Sequence, residues 1–511
     1  MPDTIDRLVT LQAARHHSKP MVIDPASRLS YRELDSTTRD LAARFVEAGV
    51  GKGTPVGLIM PNGVRWVQVA IALTRVGAVL VPLSTLLTAR ELTAQLRAAA
   101  VRYLVSVEEF RGHRYLDELG TVPQPGLPAL REVWTVDRLD DMTGERARRV
   151  VGAMAETVTA ADPLVIMFTS GSSGAPKGVL HSHGNALGAV RSGLAARCIT
   201  AETRLYLPMP FFWVGGFGAG ILSTLLSGAT LVTEQIPRPE TTLRLLETER
   251  VTLFRGWPDQ AEALAKHADA AGADLTALRP GSLPALLPPE HRAQPGARAT
   301  LFGMTEAFGP YCGYPADTDM PRAAWGSCGK PFPGIQIRIV DPDTGDPVAA
   351  DTAGMIQIRG PHILRGICRR SREEVFTDDG FYPTGDLGLL SRDGFLFYHG
   401  RSDDMFKVSG ATVYPSEVER ALRTVDGVRN AFVTDVPGAA GTRVGAAVVA
   451  GEGLTEEQLR RRARTSLSAF KVPTVWLLLT TDDDVPRGGT GKVDTRRLRE
   501  MLTDADRRAS P

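Results

Sequence analysis

The strongest constraint on the fold is the alternation, in the first third of the chain, of short apolar runs with segments of helical period. Val56 to Met60 is an apolar run closed by Pro61-Asn62, Val64 to Arg75 is helical in spacing, and Ala78 to Val81 is a second run. Tyr31 to Phe45 precedes them with helical periodicity, and Leu92 to Ala99 followed by Tyr103 to Val105 continues the pattern. Such alternation predicts a layered α/β body with largely parallel strands. It resumes at Leu164 to Phe168, ahead of a Gly/Ser-rich turn and a helix starting near His183-Gly184-Asn185. Between them, Asp137 to Asp162 is charged and strand-poor and reads as a surface connection.

Beyond Gly354 the character changes. Short β-type runs at Met355 to Arg359 and Phe395 to Tyr398 predict a smaller β-rich subdomain. The best boundary falls at 401–404. After it, Ser416 to Arg423 (helix), Asn430 to Val433 (strand), Ala446 to Val449 (strand), Glu456 to Leu467 (helix), Val475 to Leu479 (strand) and Thr495 to Leu502 (helix) form a compact α+β unit. A chain of 511 residues holds several folding units at about 100–200 residues each. The expected organisation is a large domain over residues 1–400, a hinge over 401–404 and a small domain over 405–511.

Charge and cysteine usage narrow the function. Lys+Arg 59 against Asp+Glu 58 gives a net charge of +1, too weak a field to indicate nucleic acid or an anionic membrane as partner. Cys198, Cys312, Cys328 and Cys368 are dispersed without a C-x-x-C pair, which fits a reducing cytoplasm better than a disulfide framework. Met1 to Arg7 has the wrong pattern for a secretory signal. Leu205 to Thr233 carries no charge and is long enough for a bilayer helix of about 20 residues. However, Pro208, Pro210, Gly215, Gly216, Gly218, Gly220 and Gly228 would break it, so a buried loop leading into a core helix is expected.

Chemistry is concentrated in a few segments. Thr169-Ser170-Gly171-Ser172-Ser173-Gly174-Ala175-Pro176-Lys177-Gly178 follows an apolar strand directly. Its glycines let backbone approach a ligand, and its amides, hydroxyls and lysine are donors of the kind that hold a polyphosphate. A flexible surface turn is the ordinary alternative, but such turns rarely follow a buried strand and end in Pro-Lys-Gly. The Walker pattern fails at Pro176, a nucleophile elbow fails at Ala175, and the glycines at 215–220 miss the dinucleotide spacing at Ile221. Gly303-Met304-Thr305-Glu306 offers a carboxylate beside a hydroxyl at a strand end, an arrangement that can hold Mg²⁺ beside phosphates. Tyr382-Pro383-Thr384-Gly385-Asp386 puts a carboxylate at a Gly turn, suited to two ribose hydroxyls. A solvated turn competes with each of these two readings. Gly400-Arg401-Ser402-Asp403-Asp404 lies at the composition change, and Pro486-Arg487-Gly488-Gly489-Thr490-Gly491-Lys492 presents a lysine on a glycine loop.

In this order, from about Tyr31 to Leu498, the segments resemble the adenylate-forming superfamily of acyl-CoA synthetases, peptide adenylation domains and luciferases. The resemblance implies an α/β fold: a large N-terminal domain of several subdomains and a small mobile α+β C-terminal domain. It implies an ATP phosphate loop at Thr169, Ser170, Gly171, Ser172, Ser173, Gly174 and Lys177, with Thr169 near the metal and Glu306 on Mg²⁺. Gly303, Met304 and Thr305 would line the nucleotide, while Asp386 and Arg401 would bind ribose. Lys492 matches the lysine that bridges substrate carboxylate and α-phosphate, where negative charge accumulates during attack. Asp403 matches the hinge position. The implied reaction has two steps: a carboxylic acid attacks ATP to give acyl-adenylate and pyrophosphate, then a thiol displaces AMP. His181 and His183 are given a packing role.

Lys407-Val408-Ser409-Gly410 and the residues after it are closer to the acyl-CoA synthetase form, which implies CoA as acceptor with Ser409 and Gly410 along its path. Peptide adenylation domains hold an aspartate where Phe211-Phe212-Trp213-Val214-Gly215-Gly216 is uncharged, so an α-amino acid, whose buried ammonium would lack a partner, is disfavoured. Phe212, Trp213, Gly215, Gly256, Trp257 and Phe308 are candidates for the acyl pocket, though each aromatic taken singly could be core. Gly281 to Glu290 is a poor version of the segment that packs on adenine, and Gly366-Ile367 replaces a common Gly-Tyr. Two alternatives stand beside the CoA ligase: an acyl-AMP ligase loading a separate carrier protein, and a non-catalytic nucleotide-binding protein. The oligomeric state is expected to be a monomer or a homodimer.

Overall fold

The computed structural model describes residues 2–120, 126–169, 177–402, 404–408, 411–438, 441–451, 453–467, 469–487 and 493–509. The chain divides into two compact units. The first comprises Met1–Ile337, Ile358–Tyr382 and Gly394–Leu396; the second comprises Arg338–Gln357, Pro383–Asp393 and Phe397–Pro511. The segment 401–404 falls within the second unit, and Asp403 lies outside the described residues.

The first unit carries the predicted alternation. Strands Pro55–Ile59, Val79–Pro82, Tyr103–Ser106, Glu132–Thr135 and Pro163–Thr169 run parallel in a seven-stranded sheet. Lys177–Ser182 and the two-residue Gly366–Ile367 extend it antiparallel. Val64–Arg75 is a helix at the predicted bounds and is buried along most of its length, which explains why its sequence is apolar on nearly every face. Helix Tyr31–Glu47 starts where the sequence dictates: Ser30 and Glu33 form a reciprocal capping box. A five-stranded sheet stands beside these elements, in the order Leu253–Phe254, Arg204–Tyr206, Thr230–Val232, Pro20–Ile23, Arg28–Ser30.

The uncharged stretch 205–233 forms no long helix. A helical turn Val214–Gly216 leads into a π-helical segment Phe217–Leu222 and then helix Ser223–Ser227, ended by Gly228 at φ +79°. A side chain at Gly216 would collide with the Pro210 carbonyl, so its glycine serves close packing. Among the described residues no helix is long and apolar enough to cross a membrane. The strand-poor stretch 137–162 is short helices, Arg138–Asp141 and Val151–Glu156, pinned by buried Leu139 and Val151.

The second unit holds the predicted α+β elements: Val475–Leu479 falls at the expected bounds, Glu456–Ser466 ends one residue early, and the others run longer. Strands Val428–Gly438 and Gly441–Ala450 pair antiparallel, and Val475–Leu479 joins parallel to the latter. Helices Pro415–Arg423, Glu456–Ser466 and Thr495–Ala509 accompany them. A four-stranded sheet in the order Gln336–Val340, Gly354–Arg359, Tyr382–Leu390, Leu396–Arg401 is the β-rich part anticipated after Gly354.

Candidate active site

In the first unit, Thr169 closes one strand and Lys177 opens the next, and the two are register partners across an antiparallel pair. Ser170, Gly171, Ser172, Ser173 and Gly174 of the predicted phosphate loop lie outside the described residues. The strand after the loop ends in Ser182, which caps helix His183–Ser192 through a reciprocal box with Asn185. Here the sequence passes from β to α with no loop residue to spare, which fixes the direction of the Lys177 strand.

The second predicted cluster sits on strand Phe302–Met304 and the 3₁₀ turn Thr305–Ala307. A side chain on Gly303 would overlap the Gly309 carbonyl on the neighbouring strand, so glycine is required by a close backbone approach. Phe308 follows in the left-handed region at φ +54° and turns the chain into strand Gly309–Gly313. Glu306 is buried, its Oε1 accepts from the Tyr382 hydroxyl at 3.1 Å, and its carbonyl accepts from Leu364 N–H at 2.7 Å. Burying a carboxylate is costly without compensation, and among the described residues Glu306 makes no ion pair. A hard oxygen donor held in this way fits a divalent cation that takes its other ligands from phosphate and water.

The acyl-pocket candidates are partly assembled. Phe212 meets Trp213 edge-on at 5.7 Å, and Trp213 meets Trp257 edge-on at 6.5 Å. Trp257 remains 39% exposed, unlike the core aromatics. Phe308 is joined instead to Phe217, at 6.2 Å, and lies against Gly218. Added methyls at Gly215 and Gly256 would press on Met209 and Gln260, so both glycines keep room beside neighbouring side chains. Sequence reasoning missed Asn62, which pins this region: its amide donates to the Met209 carbonyl at 2.9 Å and its oxygen accepts from Phe211 N–H at 2.8 Å. In the sequence, Pro61-Asn62 marks only the end of an apolar run. In the segment predicted to pack on adenine, Ser282 Oγ accepts from Phe254 N–H at 3.1 Å, tying it to a strand end of the five-stranded sheet.

Within the second unit Asp386 and Arg401 are brought together. Arg401 Nη1 reaches Asp386 Oδ1 at 3.3 Å and donates to the Thr384 carbonyl at 2.8 Å. The expected Gly turn is instead the interior of strand Tyr382–Leu390, locally bent at Gly385 with φ +73°. A Cβ there would lie 2.8 Å from Arg401 Nη2, so glycine lets the guanidinium lie over the backbone. Ser409 and Gly410 lie outside the described residues, between the paired strands Phe406–Val408 and Ala411–Val413. Lys492 is also outside them. The base of its loop is closed by a bridge between Arg487 and Val493 and by Asp494 N–H on the Pro486 carbonyl at 2.8 Å, just before helix Thr495–Ala509.

The two histidines after the phosphate loop are core groups. Burial holds the His181 imidazole down to about 3 and that of His183 to about 4, so both are neutral near pH 7. His183 Nδ1 accepts from Ile5 N–H at 3.2 Å.

The AMP-binding enzyme family matches residues 9–368, and the AMP-binding enzyme C-terminal domain matches residues 417–492. The chain belongs to the AMP-binding enzyme family. Among its relatives, a methyl-dioxo-octahydroindenyl propanoyl:CoA ligase of Mycobacterium tuberculosis is 33% identical, over 98% of each chain. A feruloyl-CoA synthase of Amycolatopsis is 30% identical, over 91% of this chain and 92% of that one. A 3-hydroxybenzoate–CoA ligase of Aromatoleum is 29% identical, over 95% and 94%. An anthranilate CoA ligase in complex with anthranoyl-AMP superposes with TM-score 0.82 at 22% identity, covering 99% of both chains, and supports the fold. The chain is an AMP-forming acid–thiol ligase of the acyl-CoA synthetase kind, using ATP, a carboxylic acid and CoA.

Proposed function

We propose that this acyl-CoA synthetase activates a ring-bearing carboxylic acid without an α-ammonium. The observation that carries this reading is the uncharged aromatic set Phe212, Trp213 and Trp257, joined edge-to-face. Aromatic walls suit flat or cyclic apolar bodies and leave a buried cation without a partner. The ring acids named for the relatives point the same way.

In this reading the carboxylate oxygen attacks the α-phosphorus, pyrophosphate leaves, and the CoA thiolate then attacks the acyl carbon and expels AMP. Neither step needs a protein nucleophile, so the chain contributes positioning and charge stabilisation. Thr169, Lys177 and residues 170–174 hold the β- and γ-phosphates. Glu306 and Thr169 hold Mg²⁺, which when bound neutralises developing phosphate charge. Asp386 and Arg401 hold ribose, with Gly303, Met304 and Thr305 along the nucleotide. Lys492 offsets charge on the α-phosphate, Ser409 and Gly410 flank the pantetheine, and residues 401–404 hinge a small domain over 405–511 around Asp403. Free cysteines at 198, 312, 328 and 368 suit a reducing cytoplasm.

The test is pyrophosphate release across a panel of carboxylic acids, with and without CoA, in the parent and in Lys492→Ala. Ring acids should give the highest kcat/KM, thioester should form with CoA, and adenylation should fall by at least about 100-fold in the variant, as for loss of one charge-stabilising donor. Preference for α-amino acids, or parent-rate adenylation by Lys492→Ala, would overturn the assignment. Pyrophosphate without thioester would favour a carrier-protein acceptor.

A further inference from the structure

His181 connects the phosphate-loop strand to the turn that carries Glu306. It lies within strand Lys177–Ser182, and its side chain is fully buried. Nε2 is 2.8 Å from the Thr305 carbonyl, which can only accept, so Nε2 carries the proton. Nδ1 is then the acceptor, 2.7 Å from Asn185 Nδ2. The Asn185 amide is itself oriented, because its Oδ1 accepts from Ser182 N–H at 2.6 Å and from Ser182 Oγ at 3.1 Å. The capping box of helix His183–Ser192 therefore sets the tautomer of His181. The imidazole also meets the ring of Phe308, two residues after Glu306, edge-on at 4.8 Å.

Glu306 is thus held at three points by groups the sequence motif does not contain. His181 fixes the carbonyl before it, Leu364 N–H fixes its own carbonyl at 2.7 Å, and the Tyr382 hydroxyl fixes one carboxylate oxygen at 3.1 Å. A carboxylate that must meet a small cation with near-octahedral demands gains from such fixing, because direction as well as charge decides affinity. We propose that His181 and Tyr382 are positioning residues that aim the Glu306 carboxylate at the magnesium of bound MgATP, His181 through the Thr305 carbonyl and Tyr382 directly. This inference rests on the assignment of Glu306 to the metal.

The test reads binding rather than turnover. ATP affinity is measured calorimetrically with excess Mg²⁺ and with EDTA for the parent, His181→Met, His181→Gln and Tyr382→Phe, each checked for native near-UV circular dichroism. Methionine fills the space without a donor, while glutamine offers a donor of similar reach. The gain in affinity from Mg²⁺ should fall about tenfold in His181→Met and in Tyr382→Phe. It should return to within about threefold of the parent in His181→Gln, with metal-free ATP affinity unchanged throughout. A full Mg²⁺-dependent gain in His181→Met overturns the inference, as does an equal loss with and without metal in both His181 variants. Where His181→Met does not fold, Tyr382→Phe decides: a parent-like gain overturns the inference. A parent that binds ATP with no gain from Mg²⁺ refutes the metal assignment of Glu306 itself, an outcome distinct from those.

Discussion

Removing the Asn62 side chain tests whether the acyl-side segment is held from outside. Asn62 is buried, its amide meets the Met209 carbonyl at 2.9 Å, and its oxygen receives the Phe211 N–H at 2.8 Å. In Asn62→Ala the Phe211 donor and the Met209 acceptor both lose partners in a buried place. Each unsatisfied group costs about 1–3 kcal/mol, so roughly 2–6 kcal/mol favours release of the segment leading to Phe212 and Trp213. If about 2 kcal/mol of that is recovered only by re-ordering the segment on substrate binding, kcat/KM for the acid falls roughly 30-fold. In the proposed site ATP is held by other elements, so its KM should change less than about twofold. Steady-state kinetics with each substrate varied separately, together with hydrogen exchange at the Phe211 amide, make the comparison. An Asn62→Ala enzyme whose acid kcat/KM stays within twofold of the parent, with Phe211 still protected, refutes the reasoning.

Gly385→Ala places a Cβ at φ +73° and 2.8 Å from Arg401 Nη2, so a strain of about 1–2 kcal/mol should appear as a roughly tenfold rise in KM for ATP; an unchanged KM would remove the Asp386–Arg401 pair from the nucleotide site. His183, held near 4 by burial against 6.5 when unfolded, binds a proton more readily in the unfolded chain, so its stabilising effect is complete above about pH 6.5 and is lost as pH falls toward 4. At pH 5 this amounts to about 2 kcal/mol, read as a smaller drop in urea midpoint between pH 7 and pH 5 for His183→Gln than for the parent; equal drops would contradict it.

What the sequence revealed tracks the range of each interaction. The alternation around Val64–Arg75 is local and appears at the expected residues, and the box at Ser30–Glu33, which the structure adds, spans only three positions. The family resemblance carried by the phosphate loop and the Lys492 loop is likewise a property of short ordered strings. Contacts between distant segments left no such mark. Asn62 reaches Phe211 across 149 positions and His181 reaches Thr305 across 124, and neither pairing has a period or spacing to reveal it. Gly385 departs from expectation for the opposite reason: a glycine looks the same in sequence whether it ends a strand or bends one. Tyr382, read only as the start of that motif, proved to bond Glu306.

The π-helical stretch Phe217–Leu222 gives this site a second means of changing its shape. A π turn holds one residue more than the α-helix around it, and each residue in an α-helix advances the side-chain direction by about 100°. Deleting one residue there would let α-helical hydrogen bonding resume and turn the side chains on one side of the deletion by about 100° relative to the other, next to Phe217, which now touches Phe308 and Trp66. The packing around Phe217 can therefore be redrawn by a change in chain length, leaving every remaining side chain chemically as it was. Libraries made by single-codon deletion would reach shapes that point substitution does not.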